Sequence, residues 1–232
     1  MCRRFVAASW DEVADVVREL GNAPLANELA DWPAAFPSDA AGGEGLQAYP
    51  GSQVAVVTMR GGKITVERLT WGFTVEWSRR PVYNTRLETA MGPNPGMWAD
   101  AIEHGRCVAV AANFFESHDT EKARSPKTGW AIKRQYSFVG EDGAPLLLAA
   151  VRGEDCFSIV TTAPNAVVAP VHNRMPLVLQ PGEARWWLRA SWPDFIANWQ
   201  KLANRNDMQL KATPEQPELG DTGNSFKQES LF

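Results

Sequence analysis

Two apolar runs, Gln53–Met59 and Lys63–Trp71, are separated only by Arg60-Gly61-Gly62. Both are rich in Val, Ile and Thr, which suit a pleated surface, and the Gly-Gly joint is a hairpin signal. This stretch commits the chain to antiparallel pairing. Further strands are predicted at Cys107–Asn113, Trp130–Val139, Leu146–Arg152 and Phe157–Thr162, with a turn at His172-Asn173-Arg174 running into a short apolar strand that ends at Leu179. Between the first two, Ser117–Gly129 holds Lys122, Arg124 and Lys127 and reads as an exposed, mobile loop.

Helices alternate with these strands. Trp10–Leu20 has Ser9 placed to cap it, Asp11 and Glu12 in its first turn, an apolar stripe of Val13, Val16, Val17 and Leu20, and Gly21 to close it. Others are predicted around Leu25–Ala30, Asn94–Gly105, Gly182–Leu188 and Pro193–Ala203, where Trp186, Trp187, Trp192 and Trp199 read as core. Asp31–Gly51, rich in Pro, Ala and Gly, reads as a surface connection. The expected class is α+β: a mainly antiparallel, barrel-like sheet with flanking helices, forming one domain over 1–210. Residues 211–232 turn polar, with Pro214, Pro217, Gly220 and Gly223, and read as a disordered tail.

A net charge of −4 argues against coating nucleic acid by bulk charge but leaves room for a local basic groove. Three cysteines without CxxC spacing, Cys2, Cys107 and Cys156, indicate neither a disulfide framework nor a thiolate metal site. A reducing, cytoplasmic compartment is expected, with no metal, cofactor or membrane span called for.

The chemistry concentrates at Met1-Cys2-Arg3-Arg4-Phe5. A small residue behind the initiator allows Met1 to be trimmed, leaving Cys2 with a free α-amine beside its thiol. That amine has a reference pKa near ~8, so a useful fraction is neutral and nucleophilic at neutral pH. An aldehyde can condense with it to a Schiff base that the thiol then closes into a five-membered thiazolidine. The competing reading is an arbitrary residue on a frayed terminus.

Four segments taken together, Met1-Cys2-Arg3-Arg4-Phe5, Asn84-Thr85-Arg86-Leu87-Glu88-Thr89, Asn113-Phe114-Phe115-Glu116 and His172-Asn173-Arg174-Met175-Pro176, resemble the SOS-response-associated peptidase (SRAP) family. Pro50-Gly51, Trp71-Gly72-Phe73 and Thr161-Thr162-Ala163 add to the likeness, which runs from Cys2 to about Leu202. The resemblance implies shielding of abasic sites in single-stranded DNA by a covalent crosslink through Cys2. It gives Asn84, Glu116 and His172 catalytic roles beside Cys2, and gives DNA contacts to Arg4, Arg86, Arg174, Trp71 and Thr161. Glu116 ends an apolar run, where desolvation would raise its pKa toward neutrality. The chain departs from the family pattern at Arg3, where Gly is usual, at Ser117, where many relatives carry Trp, and at Gln47, where Asn is usual. Cys107 and Cys156 read as small buried hydrophobes, and His104 and His118 match no motif.

The terminal Gln228-Glu229-Ser230-Leu231-Phe232 resembles the short peptide with which bacterial replication and repair proteins dock on the sliding clamp. Gln228, Leu231 and Phe232 would carry that contact, from a protein expected to be monomeric. Two rival functions remain open from the residues: an N-terminal-nucleophile cysteine peptidase or hydrolase, and a non-catalytic, clamp-tethered module for single-stranded DNA.

Overall fold

The computed structural model describes residues 2–21, 45–203 and 209–219. Its frame is a closed barrel. The hairpin joins β3 (Gln53–Arg60) to β4 (Lys63–Trp71), with Gly61 at φ +55° and Gly62 at φ +77°, the two positive values that a two-residue type I′ turn needs. β3 also pairs with β8 (Arg106–Arg124), β8 with β10 (Leu146–Arg152), β10 with β11 (Cys156–Thr162), and β11 returns to β4 in parallel register, closing the ring. Around it lie β1 (Arg4–Ala7), which pairs with β2 (Gln47–Ala48) and β8, β7 (Asn84–Arg86) and β12 (Met175–Pro176) on β11, and β13 (Val178–Leu179) on β10. β5 (Phe73–Val75) and β6 (Ser78–Val82) form a separate small ribbon. The mixed, mostly antiparallel, curled architecture is the one expected.

Period-two alternation sorts the barrel side chains into two cores. Cys107, Ala109 and Ala111 of β8 point inward with Val54, Val56, Leu69, Trp71, Leu148, Phe157 and Ile159; the intervening Val108 and Val110 point outward with Val57, Val66, Leu147 and Val151. The small inward residues of β8 leave room for Trp71, which stacks on Phe157 at 6.4 Å and meets Phe5 edge-on at 4.9 Å. The outward set is covered by α1 (Trp10–Gly21), α2 (Leu87–Ala90), α3 (Ala99–His104), α4 (Pro181–Arg189) and α5 (Trp192–Asn198). α1 starts as the sequence dictates: Glu12 N–H donates to Ser9 Oγ, and Ser9 N–H donates to Glu12 Oε2 at 2.7 Å, a reciprocal capping box. The predicted Asn94–Gly105 helix is instead a 3-10 turn at Gly96–Trp98 followed by α3, because Gly96 adopts φ +58° and breaks the entry.

Two expectations are corrected. Ser117–Gly129 is mostly not a loop: β8 runs on to Arg124 against β9 (Ala131–Gly140), with a register shift between Ser117 and Lys122. Its charged residues conceal the strand, which backbone pairing decides. The boundary at 210/211 falls inside a strand, β14 (Leu210–Pro214), which pairs with β9 and is followed by a strap that ends with Leu219 N–H donating to Lys122 O at 2.7 Å. The predicted helix at Leu25–Ala30 and the terminal Gln228, Leu231 and Phe232 lie outside the described residues.

Arg106 ties the helical layer to the barrel. Its guanidinium donates to Ile102 O (2.9 Å) and Glu103 O (3.0 Å) in α3, to Trp187 O (2.7 Å) in α4, and to Ala190 O just past α4, while its plane covers Phe195 of α5 at 4.4 Å. Burial pulls its pKa down to about 10, so it remains a cation at neutral pH and complements the negative ends of two helices. Arg106→Leu strands these carbonyls in a buried site. The expected cost is about 3 kcal/mol, seen as a fall of roughly 6–12 °C in the thermal unfolding midpoint.

Candidate functional site

The site begins with the register of β1 on β8. Arg4 lies opposite Phe115 and Phe5 opposite Phe114, so the residues before Arg4 are carried alongside Glu116 and Ser117. Asn113 reinforces this edge: its Oδ1 accepts from Val6 N–H at 3.3 Å and its Nδ2 donates to Ser137 Oγ at 2.9 Å. Cys2 is consequently fully enclosed and belongs to the barrel's inner core. Its thiol donates to Arg4 O at 3.4 Å, and its carbonyl accepts from Asn84 Nδ2 at 2.8 Å. Asn84 reaches it because β7 runs parallel to β11, pairing Asn84 with Ile159. The buried Asn84 Oδ1 has no hydrogen-bond partner among the described residues.

Glu116 is 2% exposed at the mouth of the barrel. Burial pushes its carboxyl up to about 7, against the opposing pull of the chain's positive amino end. His172 lies beyond it, with Nε2 4.0 Å from Glu116 Oε2. The loop carrying His172 is wound by buried Asn165, whose Oδ1 accepts from Val167 and Val168 N–H, after which His172 N–H donates to Val168 O. Arg174 N–H donates to His172 Nδ1 at 3.0 Å, and Arg174 O lies 3.1 Å from the same nitrogen, so the Arg174 backbone holds the ring with Nε2 towards Glu116. Burial lowers the histidine's pKa, with the positive amino end adding to the effect. For Cys2, burial and then the charge of Glu116 raise the thiol's pKa strongly, so the resting sulfur is a neutral thiol.

Cations flank this centre. Arg4 lies over Phe115 at 3.6 Å and pairs with Glu215 from the strap. Arg174 grips Glu88 with two bonds of 2.5 and 3.0 Å and also donates to Thr161 O and Oγ1. Glu88, despite partial burial that acts to raise its pKa, is held below the usual carboxylate range by Arg174. Arg86, at the end of β7, is exposed. The structure thus gathers Cys2, Asn84, Glu116 and His172 at the amino end, with Arg4 on β1 beside them and Arg174 two residues past His172.

Two predicted DNA contacts do not reach solvent. Trp71 is fully buried, with its indole N–H donating to Tyr83 O at 2.9 Å, because the inner core needs its bulk; Thr161 is also fully buried and serves to hold Arg174. Cys107 is buried as expected, whereas Cys156 is only half-buried. Sequence reasoning missed Phe115 and Glu215 beneath and beside Arg4. Phe115 lies within the Asn113–Glu116 segment, but nothing local marks Glu215, which stands 211 positions away from its partner.

The SOS response associated peptidase (SRAP) family model matches residues 1–220. The chain belongs to the SRAP family. Among its relatives, the abasic site processing protein YedK of Escherichia coli is 32% identical over 149 residues, covering 60% of this chain and 62% of YedK, so the match spans somewhat under two-thirds of that relative. The abasic site processing protein YoqW of Bacillus subtilis is 23% identical over 180 residues, covering 69% of this chain and 74% of YoqW. A phage-related protein from Bordetella bronchiseptica superposes with a TM-score of 0.64 at 25% identity over 92% of this chain and 93% of its own. A Bacteroides thetaiotaomicron protein shares the SRAP fold at a TM-score of 0.60 and 16% identity, over 92% of this chain and 91% of its own.

Glu116 makes this SRAP site costly at alkaline pH. With its folded pKa above the ordinary glutamate value, the folded protein keeps a proton that the unfolded chain releases. The stability this contributes is complete below about pH 4.5 and is lost as pH rises through about 7. Glu116→Gln should therefore gain roughly 3 kcal/mol over wild type at pH 8.5 and little at pH 4, read from urea unfolding midpoints at both values.

Proposed function

We propose that this SRAP protein processes abasic sites in single-stranded DNA, and that Cys2, freed by removal of Met1, captures the ring-opened sugar as a thiazolidine. The observation that carries the reading is the convergence of Glu116, His172 and Asn84 on a fully enclosed Cys2 at the chain's amino end. The relatives, abasic site processing proteins by name, supply the substrate class.

The atoms balance as a condensation. Neutral amine attacks the C1′ aldehyde carbon, forming a C–N bond and, after proton transfer, a carbinolamine. Water leaves with a proton delivered by the protonated Glu116 carboxyl, giving an iminium whose N–H proton returns to the Glu116 carboxylate to leave the neutral imine. The thiol then adds to the same carbon, its sulfur forming the C–S bond and its proton passing to nitrogen, so one water is lost overall. A neutral thiol is the appropriate resting form, because the amine acts first. A carboxyl near pH 7 can both give and take protons, as these steps require. Asn84 fixes the Cys2 backbone and offers its free Oδ1 to the amine or a sugar hydroxyl. His172 presents Nε2 to Glu116 and to the opening sugar oxygen, where it can relay a proton between them.

Arg4, Arg86 and Arg174 take the flanking phosphates, with Glu215 and Glu88 holding two of these forks in place until a phosphate exchanges for the carboxylate. On the same reading the last five residues act as a clamp tether. Deleting residues 228–232 should abolish retention on immobilised sliding clamp and leave DNA crosslinking intact; retention by the truncated protein would remove the tether.

Incubation with an oligonucleotide carrying one abasic site, followed by denaturing electrophoresis, should give a shifted band that Cys2→Ala loses entirely and Glu116→Gln forms about 100-fold more slowly. The rate should peak between about pH 7 and 8: the amine must be neutral, favouring higher pH, while Glu116 must be protonated, favouring lower pH. No band from methionine-free wild type would exclude the crosslink.

A further inference from the structure

Past Asp119 the β8–β9 ribbon continues beyond the catalytic centre as an arm with two unlike faces. Residues opposite one another in an antiparallel pair share a face, as do residues two apart on one strand. The register Lys122↔Lys133 and Arg124↔Ala131 therefore sets Lys122, Arg124 and Lys133 on one face, and Ala123 and Ile132 on the other. That other face is occupied. The strap crosses from the β9 edge, where Glu215 N–H donates to Gln135 O, to the β8 edge at Lys122 O, and Arg134 Nε donates to Gln216 O at 2.8 Å. Beneath this crossing Ala123 is fully buried. The cationic face is left bare, with Lys122, Arg124 and Lys133 exposed.

From Lys122 to Lys133 the sequence holds Lys122, Arg124, Lys127 and Lys133 and no acidic residue, in a chain whose net charge is −4. Lys122 and Lys133 stand directly opposite, an arrangement that costs free energy without an anion between them. Asp119 approaches Lys133 at 3.7 Å, and Arg124 donates to Gly129 O at 3.3 Å. Trp130, 77% exposed, closes the end of the arm, where Ser125 N–H donates to its carbonyl, and by the same alternation falls with Ile132 on the face opposite the cations, where it is left uncovered. The root of the arm is fixed to the catalytic loop, because Asp119 N–H donates to Val171 O beside His172. Arg124 is eight residues beyond Glu116, up to about 25 Å along an extended strand.

We propose that this arm is a second binding surface for single-stranded nucleic acid, gripping the strand that flanks the nucleotide held at Cys2. Lys122, Arg124 and Lys133 meet its phosphates, and Trp130 offers a ring on which an unpaired base stacks. A row of cations spaced about 7 Å apart along one face, with an exposed aromatic at the tip where the strand rounds the end of the ribbon, fits a flexible single strand, whose bases are free to stack. The inference rests on the reading that the site takes a damaged strand, and it assigns the path of that strand away from the site.

The test uses undamaged oligothymidines of five and twenty nucleotides, titrated by fluorescence anisotropy at several salt concentrations. Wild type should bind the longer one far more tightly. In Lys122→Gln/Arg124→Gln/Lys133→Gln this gain should fall at least tenfold, and the slope of log affinity against log salt for the longer strand should become shallower by about 2, three phosphate contacts at about 0.7 each. Trp130→Ala should lose roughly tenfold on the longer strand with the slope retained. Arg18→Gln/Lys63→Gln, which removes two exposed cations elsewhere, should keep the wild-type gain. A triple variant with wild-type gain and slope, or an equal loss in the Arg18/Lys63 control, overturns the arm. These strands carry no aldehyde, so a failure of Cys2 to crosslink abasic DNA would sink the thiazolidine while leaving this result standing, and the reverse holds equally.

Discussion

Everything around Cys2 depends on a four-residue strand. β1 lies between β2 and β8, and its pairing of Arg4 with Phe115 turns a chain terminus, ordinarily the least ordered part of a protein, into a fixed wall of the barrel mouth. Phe5 anchors it by packing against Trp71 in the inner core, and Arg4 by covering Phe115. Cys2 is held by its backbone rather than by its side chain: β1 fixes the chain from Arg4 onward, and Asn84 grips the Cys2 carbonyl.

Burial sets the chemistry there. The same enclosure that disfavours a thiolate at Cys2 disfavours a carboxylate at Glu116, and it keeps His172 neutral. The thiol and the imidazole rest neutral and the carboxyl lies near its midpoint at neutral pH, while Arg4 and Arg174 beside them already sit in carboxylate grips. On the proposed function, a phosphate arriving at Arg4 or Arg174 would find a fork whose orientation is set in advance by Glu215 or Glu88, so that binding would exchange one anion for another and order few side chains.

The hairpin, α1 with its cap, and the inner strands were legible in the sequence because local chemistry decides them: two glycines where φ must be positive, a Ser-x-x-Glu box, and runs of β-branched residues. The constellation of Cys2, Asn84, Glu116 and His172 was legible through its motifs. Three things were not. Residues 117–124 look like a loop because their charges hide a strand whose partner is β9, and β14 looks like a tail because its pairing is likewise remote. Trp71 is expected to contact DNA because composition cannot distinguish a ring turned into a barrel from one turned out; alternation along β4 settles it, placing Trp71 with Leu69 inside and Val66 outside.

The same alternation divides the molecule mechanically. The helices rest on the outward residues of the barrel, while Cys2 and its neighbours belong to the inward set, and the strands' own backbone stands between them. Volume lost or gained under α1 or α4 can be absorbed in the outer layer, with the barrel wall acting as a bulkhead. A protein so divided can trade packing on one side for robustness while Cys2 and the groups around it on the other keep their spacing.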